Sequence, residues 1–472
     1  MGDERAETYL GLLAEAELRR AGDRLRGLGA AAGTDVWSDP GMAPFATAEG
    51  ALWKVGRAGR ILVVAGVLDQ DYLDRFWSDL HGAIYARSRL LLNWDRRRGM
   101  LHRTMFAQSP SPLPSRCAGR AMRAAPIGRA LRVASGGARW VLYLMSLVQA
   151  ETEAVITVVM RMHWPPGGDL EITGAGPHHM PYDQLWAVDD QGTRYTVRFE
   201  GDQGGAAAWR GIARLSPVPP PGVRRLDLVG DGTCLIQLPL GPSAACDLRA
   251  GPPVTGPAAI PPGDRLLILA AEHMLAGGPV EDPGPGEIIT VLAEAGAIAA
   301  DSPVPGQLAA LCQRLGAAGH GITVPPAEQI PAPWASVLAH RDAPVPAGGP
   351  EVFAPLAVVL PDVDGARFAL AGLSTAAGES HLHVISSGMP PLTDRFARNW
   401  APGFSWWVRD GAGDWHVAAA GEPWAFGDGM QAFLLRLTPP LAAVPHAAEV
   451  VVTGPATRVR ATVLVRPAPG NE

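Results

Sequence analysis

The chain has 472 residues, of which 47% are hydrophobic and 18% are charged. A disordered chain of this length would be poor in apolar residues and rich in charge, so the composition excludes general disorder and supports more than one packed core. The net charge of -6 excludes binding to nucleic acid or an anionic membrane through the overall field of the protein. Binding to nucleic acid or to an anionic membrane would need a local patch of positive charge.

The chain shows no targeting or redox signature. Residues 1–5 lack the basic and apolar regions of a secretory signal, and no apolar run approaches the roughly 18 residues of a membrane-spanning helix. The four cysteines have no CxxC spacing and are too few to staple a chain of this length. We therefore predict a cytoplasmic protein with reduced thiols and no membrane partner.

The amino-terminal part has apolar residues at helical spacing. One helix is predicted from about residue 4 to residue 28, and another from about residue 70 to residue 91, with Asp69 as its N-cap. Together with a helix between them, these segments predict a small helical domain over residues 1–93.

An arginine-rich linker, residues 94–124, follows this helical domain. Residues 86–123 hold nine arginines and one acid, Asp95, in a protein that is otherwise acidic. Such a segment fits RNA, DNA or an acidic protein surface, with neutralisation inside the molecule as the alternative. Its candidate partner-binding residues are Arg96, Arg97, Arg98 and Arg103.

Short apolar runs separated by Gly, Pro and Asp turns predict antiparallel β-structure twice. They occupy residues 125–242 and 351–467, and an immunoglobulin-like sandwich is the predicted fold of each. Between them we expect a Pro/Gly linker at 243–262, a helical segment at 263–324 and a Pro-rich linker at 325–350. The predicted fold class is α+β multidomain, a tandem duplication of a small helical domain followed by a β-sandwich.

The duplication is predicted from matches at an offset of 221 to 229 residues. Residues 214–217 (RLSP) recur as 436–439 (RLTP), and Leu185-Trp186 before a turn corresponds to Trp406-Trp407 before a turn. Residues 125–127 (API) likewise recur as 354–356 (APL). The β part of the match is better than the helical part, because four apolar positions at helical spacing are common to all amphipathic helices.

Three further residues are candidate site residues. His381 and His383 alternate along a predicted strand and share one face, a spacing that several metal sites use. No nearby Cys, His or carboxylate completes such a site in sequence, so a solvated strand face is the alternative. Trp406 precedes Trp407 in a strand, and one of the two indoles should point away from the sandwich core, into a partner interface or beneath a neighbouring domain.

No GxSxG, Walker, GxGxxG or HExxH motif occurs in the sequence, and we predict no cofactor. The leading functional hypothesis is a non-enzymatic protein-binding or scaffold module with two related units and an unknown protein partner. A metal-dependent or hydrolytic enzyme that uses the strand histidines stays open, as does a nucleic-acid-associated regulator that uses residues 86–123.

Overall fold

The fold is known from a computed structural model. It describes short stretches between residues 55 and 63 and between 298 and 307, and the ranges 4–16, 67–87, 121–135, 138–163, 185–205, 208–240, 255–259, 287–296, 332–341, 352–376, 378–389, 404–420, 424–426, 430–442, 445–454 and 457–465. All structural statements below concern these residues.

Two antiparallel sheets dominate the described structure. The strands of sheet 1 are β1 (Arg123–Ser135), β2 (Ala138–Gln149), β3 (Ala154–His163), β4 (Leu185–Asp189), β5 (Arg194–Gly205), β6 (Ala208–Ser216), β7 (Arg225–Gly230) and β8 (Thr233–Pro239). The strands of sheet 2 are β9 (Thr255–Ala259), β10 (Val352–Val359), β11 (Arg367–Ala376), β12 (Glu379–Ser387), β13 (Ser405–Arg409), β14 (Trp415–Ala420), β15 (Trp424–Phe426), β16 (Met430–Thr438), β17 (Ala447–Thr453) and β18 (Thr457–Leu464).

The two sheets have the same strand order. Sheet 1 runs β1-β2-β3-β6-β5-β4-β7-β8, and sheet 2 runs β10-β11-β12-β16-β14-β13-β17-β18, with β9 added beyond β18 and β15 paired to β16. Each strand of sheet 1 therefore has a counterpart in sheet 2, and residues at matching register positions are called counterparts below. Each set of eight strands curls until its first and last strands approach each other, so that both sheets are nearly closed.

The predicted fold class, a helical domain followed by an immunoglobulin-like sandwich in each half, is wrong. The protein is mostly β, with two nearly closed eight-stranded sheets. Alternation of apolar and polar residues shows that one face of each strand is buried, but a second sheet and the far wall of a curled sheet bury that face equally well. Sequence alternation alone therefore could not separate the two architectures.

The helical residues do not form one helical domain before each sheet. Residues 4–16 are helical, and further helices span Gln70–Arg87, Glu287–Glu294 and Ala332–Arg341. The chain divides into two compact units, one comprising residues 1–115, 260–335 and 392–405 and the other holding both sheets. The first unit thus combines segments that precede sheet 1 and sheet 2, and Arg5 forms an ion pair with Glu294 inside it. No described helix is long and apolar enough to cross a membrane.

Local irregularities recur at counterpart positions. The pairing of β1 with β2 shifts register after Pro126, and that of β10 with β11 shifts after its counterpart Pro355. The turn after β4 is held by Asp189 Oδ1, which accepts the N–H groups two and four residues ahead at 2.9 and 2.7 Å. Asp410 Oδ1 makes the same two bonds after β13, each at 2.9 Å. These matches extend the equivalence of the two sheets to individual backbone hydrogen bonds.

Each sheet buries its two faces against different partners. The interior of sheet 1 is filled by its own side chains, including Leu142, Ile156 and Tyr195. The outer faces of β2, β3 and β6 pack on the outer faces of β10, β11, β12 and β16, where Met145 lies against Gly372. A Cβ atom at residue 372 would lie 2.2 Å from Met145 Cε, so this glycine allows the close approach of the two sheets.

An ion pair is also repeated, but in different surroundings. Arg214 makes two hydrogen bonds to Glu153, at 2.8 and 2.7 Å, and the Glu153 side chain is 5% exposed. The counterparts Arg436 and Glu379 lie 3.3 Å apart, and their side chains are 63% and 40% exposed. Because solvent screens exposed pairs, only the sheet 1 pair should contribute substantially to stability.

We expect Glu153→Gln to lower the free energy of unfolding by about 2 kcal/mol, because it removes the nearly buried carboxylate that accepts two short hydrogen bonds from Arg214 and leaves this guanidinium only the longer pair with Glu200. The matched variant Glu379→Gln should cost less than about 1 kcal/mol, since its pair is exposed. Denaturant unfolding of both variants at neutral pH measures the difference. Equal losses would show that burial does not distinguish the two pairs.

Candidate functional site

The predicted histidines lie where the two sheets meet. On sheet 2, Phe353, Ser374 and His381 are successive cross-strand neighbours on β10, β11 and β12. On sheet 1, a matching row of Tyr143, Val159 and Arg210 crosses β2, β3 and β6. The Tyr143 ring stacks on the Phe353 ring with 3.8 Å between centroids. We call these two facing rows, with the residues beside them, the polar half of the interface.

The other half of the interface is built from the counterparts of these residues and is apolar. The counterparts of the sheet 2 row are Ala124, Val148 and Val155. The counterparts of the sheet 1 row are Ala369, Ile385 and Ala432. All six side chains belong to one buried hydrophobic cluster. The interface therefore has two related halves, and only one of them carries Ser374, His381 and Arg210 where its counterpart has Val148, Val155 and Ala432.

This difference marks the polar half as the candidate site. Burying a polar group costs free energy unless it is hydrogen-bonded or paired, and the apolar half shows that aliphatic side chains fill the same positions. Polar residues at buried positions that aliphatic side chains could fill are expected mainly at functional or strained sites. The sequence carried no signal for Arg210 or Ser374, because the proximity of these residues to the histidines depends on sheet packing.

Both histidines are buried and make defined contacts. His383 Nε2 lies 3.0 Å from Ser374 Oγ, and His381 Nε2 lies 3.8 Å from a carboxylate oxygen of Glu379, which also pairs with Arg436. Burial, with Arg210 and Arg436 nearby, lowers the pKa of His381 to about 3. Burial, with His381 and Arg210 nearby, holds the pKa of His383 well below its ordinary value. Both imidazoles are therefore neutral at physiological pH.

The polar half contains a pair of groups that hydrolases use, a serine hydroxyl beside a neutral imidazole. Ser374 is 2% exposed and His383 is 3% exposed, so in this conformation the pair is covered and its hydrogen bond satisfies two buried polar groups. Among the described residues, no group of three or more His, Cys, Asp or Glu side chains is arranged to hold a metal ion. A metal site at His381 and His383 stays a prediction.

The other candidate residues lie elsewhere. Arg96, Arg97, Arg98 and Arg103 fall outside the described residues. Trp406 is 7% exposed and meets Phe368 of β11 edge to face, with ring centroids 4.9 Å apart. The adjacent Trp407 is 5% exposed and packs against Trp415 of β14. Both indoles are therefore buried and make aromatic contacts inside the unit that holds the two sheets.

The last strands of the two sheets differ in one respect that the sequence did not indicate. In sheet 2, β9 pairs antiparallel with β18 and extends the sheet by one strand. In sheet 1, no strand of the described chain pairs with the outer edge of the counterpart β8. The β9 strand lies inside the predicted Pro/Gly linker, and its sequence, TGPAA, has neither alternation nor large β-forming residues.

Acid should destabilise the protein through the two histidines, and the double variant His381→Val, His383→Thr should reduce this effect. In the unfolded chain each histidine binds a proton below about pH 6.5, whereas in the folded protein both remain neutral to much lower pH. Stability therefore falls as pH drops from about 6.5, by at most about 1.4 kcal/mol per pH unit for each histidine. The variant introduces valine and threonine because these are the residues at the counterpart positions, Val155 and Thr157, where the fold already accommodates them.

The measurement is the free energy of unfolding of both proteins between neutral and mildly acidic pH, and the quantity compared is its slope. Parallel curves for the wild type and the double variant would contradict the assignment of the acid sensitivity to the polar half.

Comparison with family models, curated proteins and solved structures finds no match for this chain. Its function is therefore inferred from the contacts, burial and charges of the described residues.

Proposed function

We propose that this chain is a non-enzymatic protein-binding module, and that sheet 1 takes an extended segment of a partner protein along the free edge of β8. We also infer that the two sheets arose by duplication of one unit, since they share strand order, register shifts and turn hydrogen bonds. A duplicated unit has two equivalent edges. In this chain β9 pairs with the edge of β18, whereas among the described residues β1 approaches the edge of β8 and no strand pairs with it.

The single observation that carries the proposal is the position of β9. Its Ala259, Ala258 and Thr255 pair with Thr457, Arg458 and Arg460 of β18. This strand comes from outside the eight strands that the two sheets have in common. Sheet 2 therefore supplies an internal example of strand addition, a mode in which backbone hydrogen bonds provide affinity and neighbouring side chains provide specificity.

The backbone of β8 is oriented to accept such a strand. The N–H of Leu240 donates to the carbonyl of Arg224 at 2.7 Å, so this pair is a hydrogen-bonded one of the β7–β8 ladder. Hydrogen-bonded and non-hydrogen-bonded pairs alternate along an antiparallel ladder. Gln237, which pairs with Asp227, is therefore in a non-hydrogen-bonded pair, and its N–H points to the open edge.

Gln237 is the counterpart of Arg460, one of the β18 residues that pair with β9. Arg460 pairs with Val451, as Gln237 pairs with Asp227, and both residues stand at the outward-facing register of their strands. Thr233, Cys234 and Gln237 are exposed along β8. At the end of the strand, Pro239 has no N–H to offer, so strand addition should use the part of β8 before it.

We expect Gln237→Pro to abolish partner binding while leaving the fold intact. Proline removes an N–H that faces outward, so the incoming strand loses a donor and meets the ring, whereas the β7–β8 ladder keeps its hydrogen bonds. Gln237→Ser is the matched control, because it changes the side chain and keeps the N–H. The measurement is affinity capture with the tagged full-length protein from its native cytosol, combined with hydrogen exchange of the β8 amides in the captured complex.

The proposal would be supported by a partner protein that binds the wild type and Gln237→Ser but does not bind Gln237→Pro. This partner should also protect the β8 amides from hydrogen exchange. A partner that binds all three proteins equally would place the binding surface elsewhere and overturn the role of β8. The hypothesis of a nucleic-acid-associated regulator would instead be supported if the wild type captured nucleic acid and a variant with Arg96, Arg97 and Arg98 changed to Ser did not.

A further inference from the structure

The turn after β4 is closed by a tyrosine. Asp189 Oδ1 is occupied by two backbone N–H groups, and Asp189 Oδ2 accepts the hydroxyl of Tyr195 at 2.6 Å. Burial and this carboxylate raise the pKa of Tyr195 to about 12. Burial alone would raise the pKa of Asp189, but the hydrogen bonds from Tyr195, Thr193 and Gln191 outweigh it and lower that pKa. Every polar atom of this arrangement has a donor or acceptor.

In sheet 2 the counterpart of Tyr195 is His416, and the arrangement is not closed. The His416 side chain is 4% exposed, and its Nδ1 lies 2.7 Å from the carbonyl oxygen of Pro439. A carbonyl only accepts hydrogen bonds, so Nδ1 carries a hydrogen atom, and in the neutral ring Nε2 presents a lone pair. This Nε2 is buried, has no hydrogen-bond partner among the described residues, and lies 3.7 Å from Asp410 Oδ2.

A buried ring nitrogen therefore lies beside a carboxylate with no hydrogen bond between them. Asp410 Oδ1 is held by the N–H groups of Ala412 and Asp414, which fixes the carboxylate with Oδ2 towards the imidazole. A buried polar atom without a hydrogen-bond partner is unfavourable unless a cation or a further polar group lies beside it. In sheet 1 the Tyr195 hydroxyl reaches its carboxylate at 2.6 Å, whereas in sheet 2 the ring nitrogen stays 3.7 Å from Asp410 Oδ2.

We propose that a divalent transition-metal ion of the zinc class binds between His416 Nε2 and Asp410 Oδ2, with solvent completing its coordination. Imidazole nitrogen and carboxylate oxygen are both ligands of this ion, at about 2.0 to 2.2 Å, so two ligands of a tetrahedral ion lie about 3.4 Å apart. The observed 3.7 Å needs a shift of only a few tenths of an ångström. The Asp410 side chain is 14% exposed, which leaves the site accessible from solvent.

The surroundings of His416 are those of a metal ligand in a further respect. Histidine ligands commonly donate the hydrogen of their other ring nitrogen to a carboxylate or a backbone carbonyl, which fixes the tautomer and the ring orientation. The contact of Nδ1 with the Pro439 carbonyl is of this kind. The proposed site has two protein ligands. It shares no residue with the β8 edge or with the predicted pair His381 and His383.

The test measures zinc binding by isothermal titration calorimetry on the full-length wild type and four variants. His416→Tyr installs the counterpart residue, whose hydroxyl should donate to Asp410 as Tyr195 does to Asp189. Asp410→Asn keeps an acceptor for the two turn N–H groups but removes the charged ligand. Asp189→Asn makes the same change in sheet 1, and His381→Val, His383→Thr removes the strand histidines.

The wild type should bind one zinc ion more than His416→Tyr and one more than Asp410→Asn. Asp189→Asn and the double histidine variant should each keep that ion. Equal stoichiometry in the wild type, His416→Tyr and Asp410→Asn would overturn the proposal, as would loss of the ion from the double variant alone. If circular dichroism shows that His416→Tyr does not fold, the comparison of Asp410→Asn with Asp189→Asn decides the outcome in the same way.

Discussion

The packing of the two sheets through their outer faces is the interaction on which the rest of this structure depends. A nearly closed sheet already buries its inner face, so its central strands would expose an apolar outer face if the two sheets did not cover each other. The contact is close because Gly372 has no side chain where Met145 arrives. Strands such as β12 have buried residues on both faces, because one face lies inside their own sheet and the other is covered by the neighbouring sheet.

The same contact explains why one half of the interface can carry polar groups. The apolar half, built around Val155 and Ile385, supplies burial without any polar cost. The polar half has His381 and Arg210 where the apolar half has Val155 and Ala432. Glu379 lies beside His381 and pairs with Arg436, and Ser374 contacts His383. Depressed pKa values keep both imidazoles neutral, which avoids a buried charge near two guanidinium groups and makes the interface sensitive to acid.

Comparison of counterparts also identifies two further places where the repeated units differ. β18 holds an added strand and its counterpart β8 does not, so the edges differ in what they leave open. Tyr195 donates to the carboxylate of its turn, whereas Nε2 of its counterpart His416 has no hydrogen-bond partner among the described residues. In both cases one copy makes an interaction that the described residues of the other copy do not make.

By itself the sequence determined the positions of many strands, the start of a helix at Gln70 and the matches between the two β regions, because alternation and turn residues are local properties of the chain. Only the tertiary structure decided that each sheet curls on itself instead of forming a sandwich, that β9 joins β18, and that Arg210 approaches His381. A periodic pattern reports that a face is buried, but it does not report what buries it, because contacts between distant strands leave no trace in local spacing.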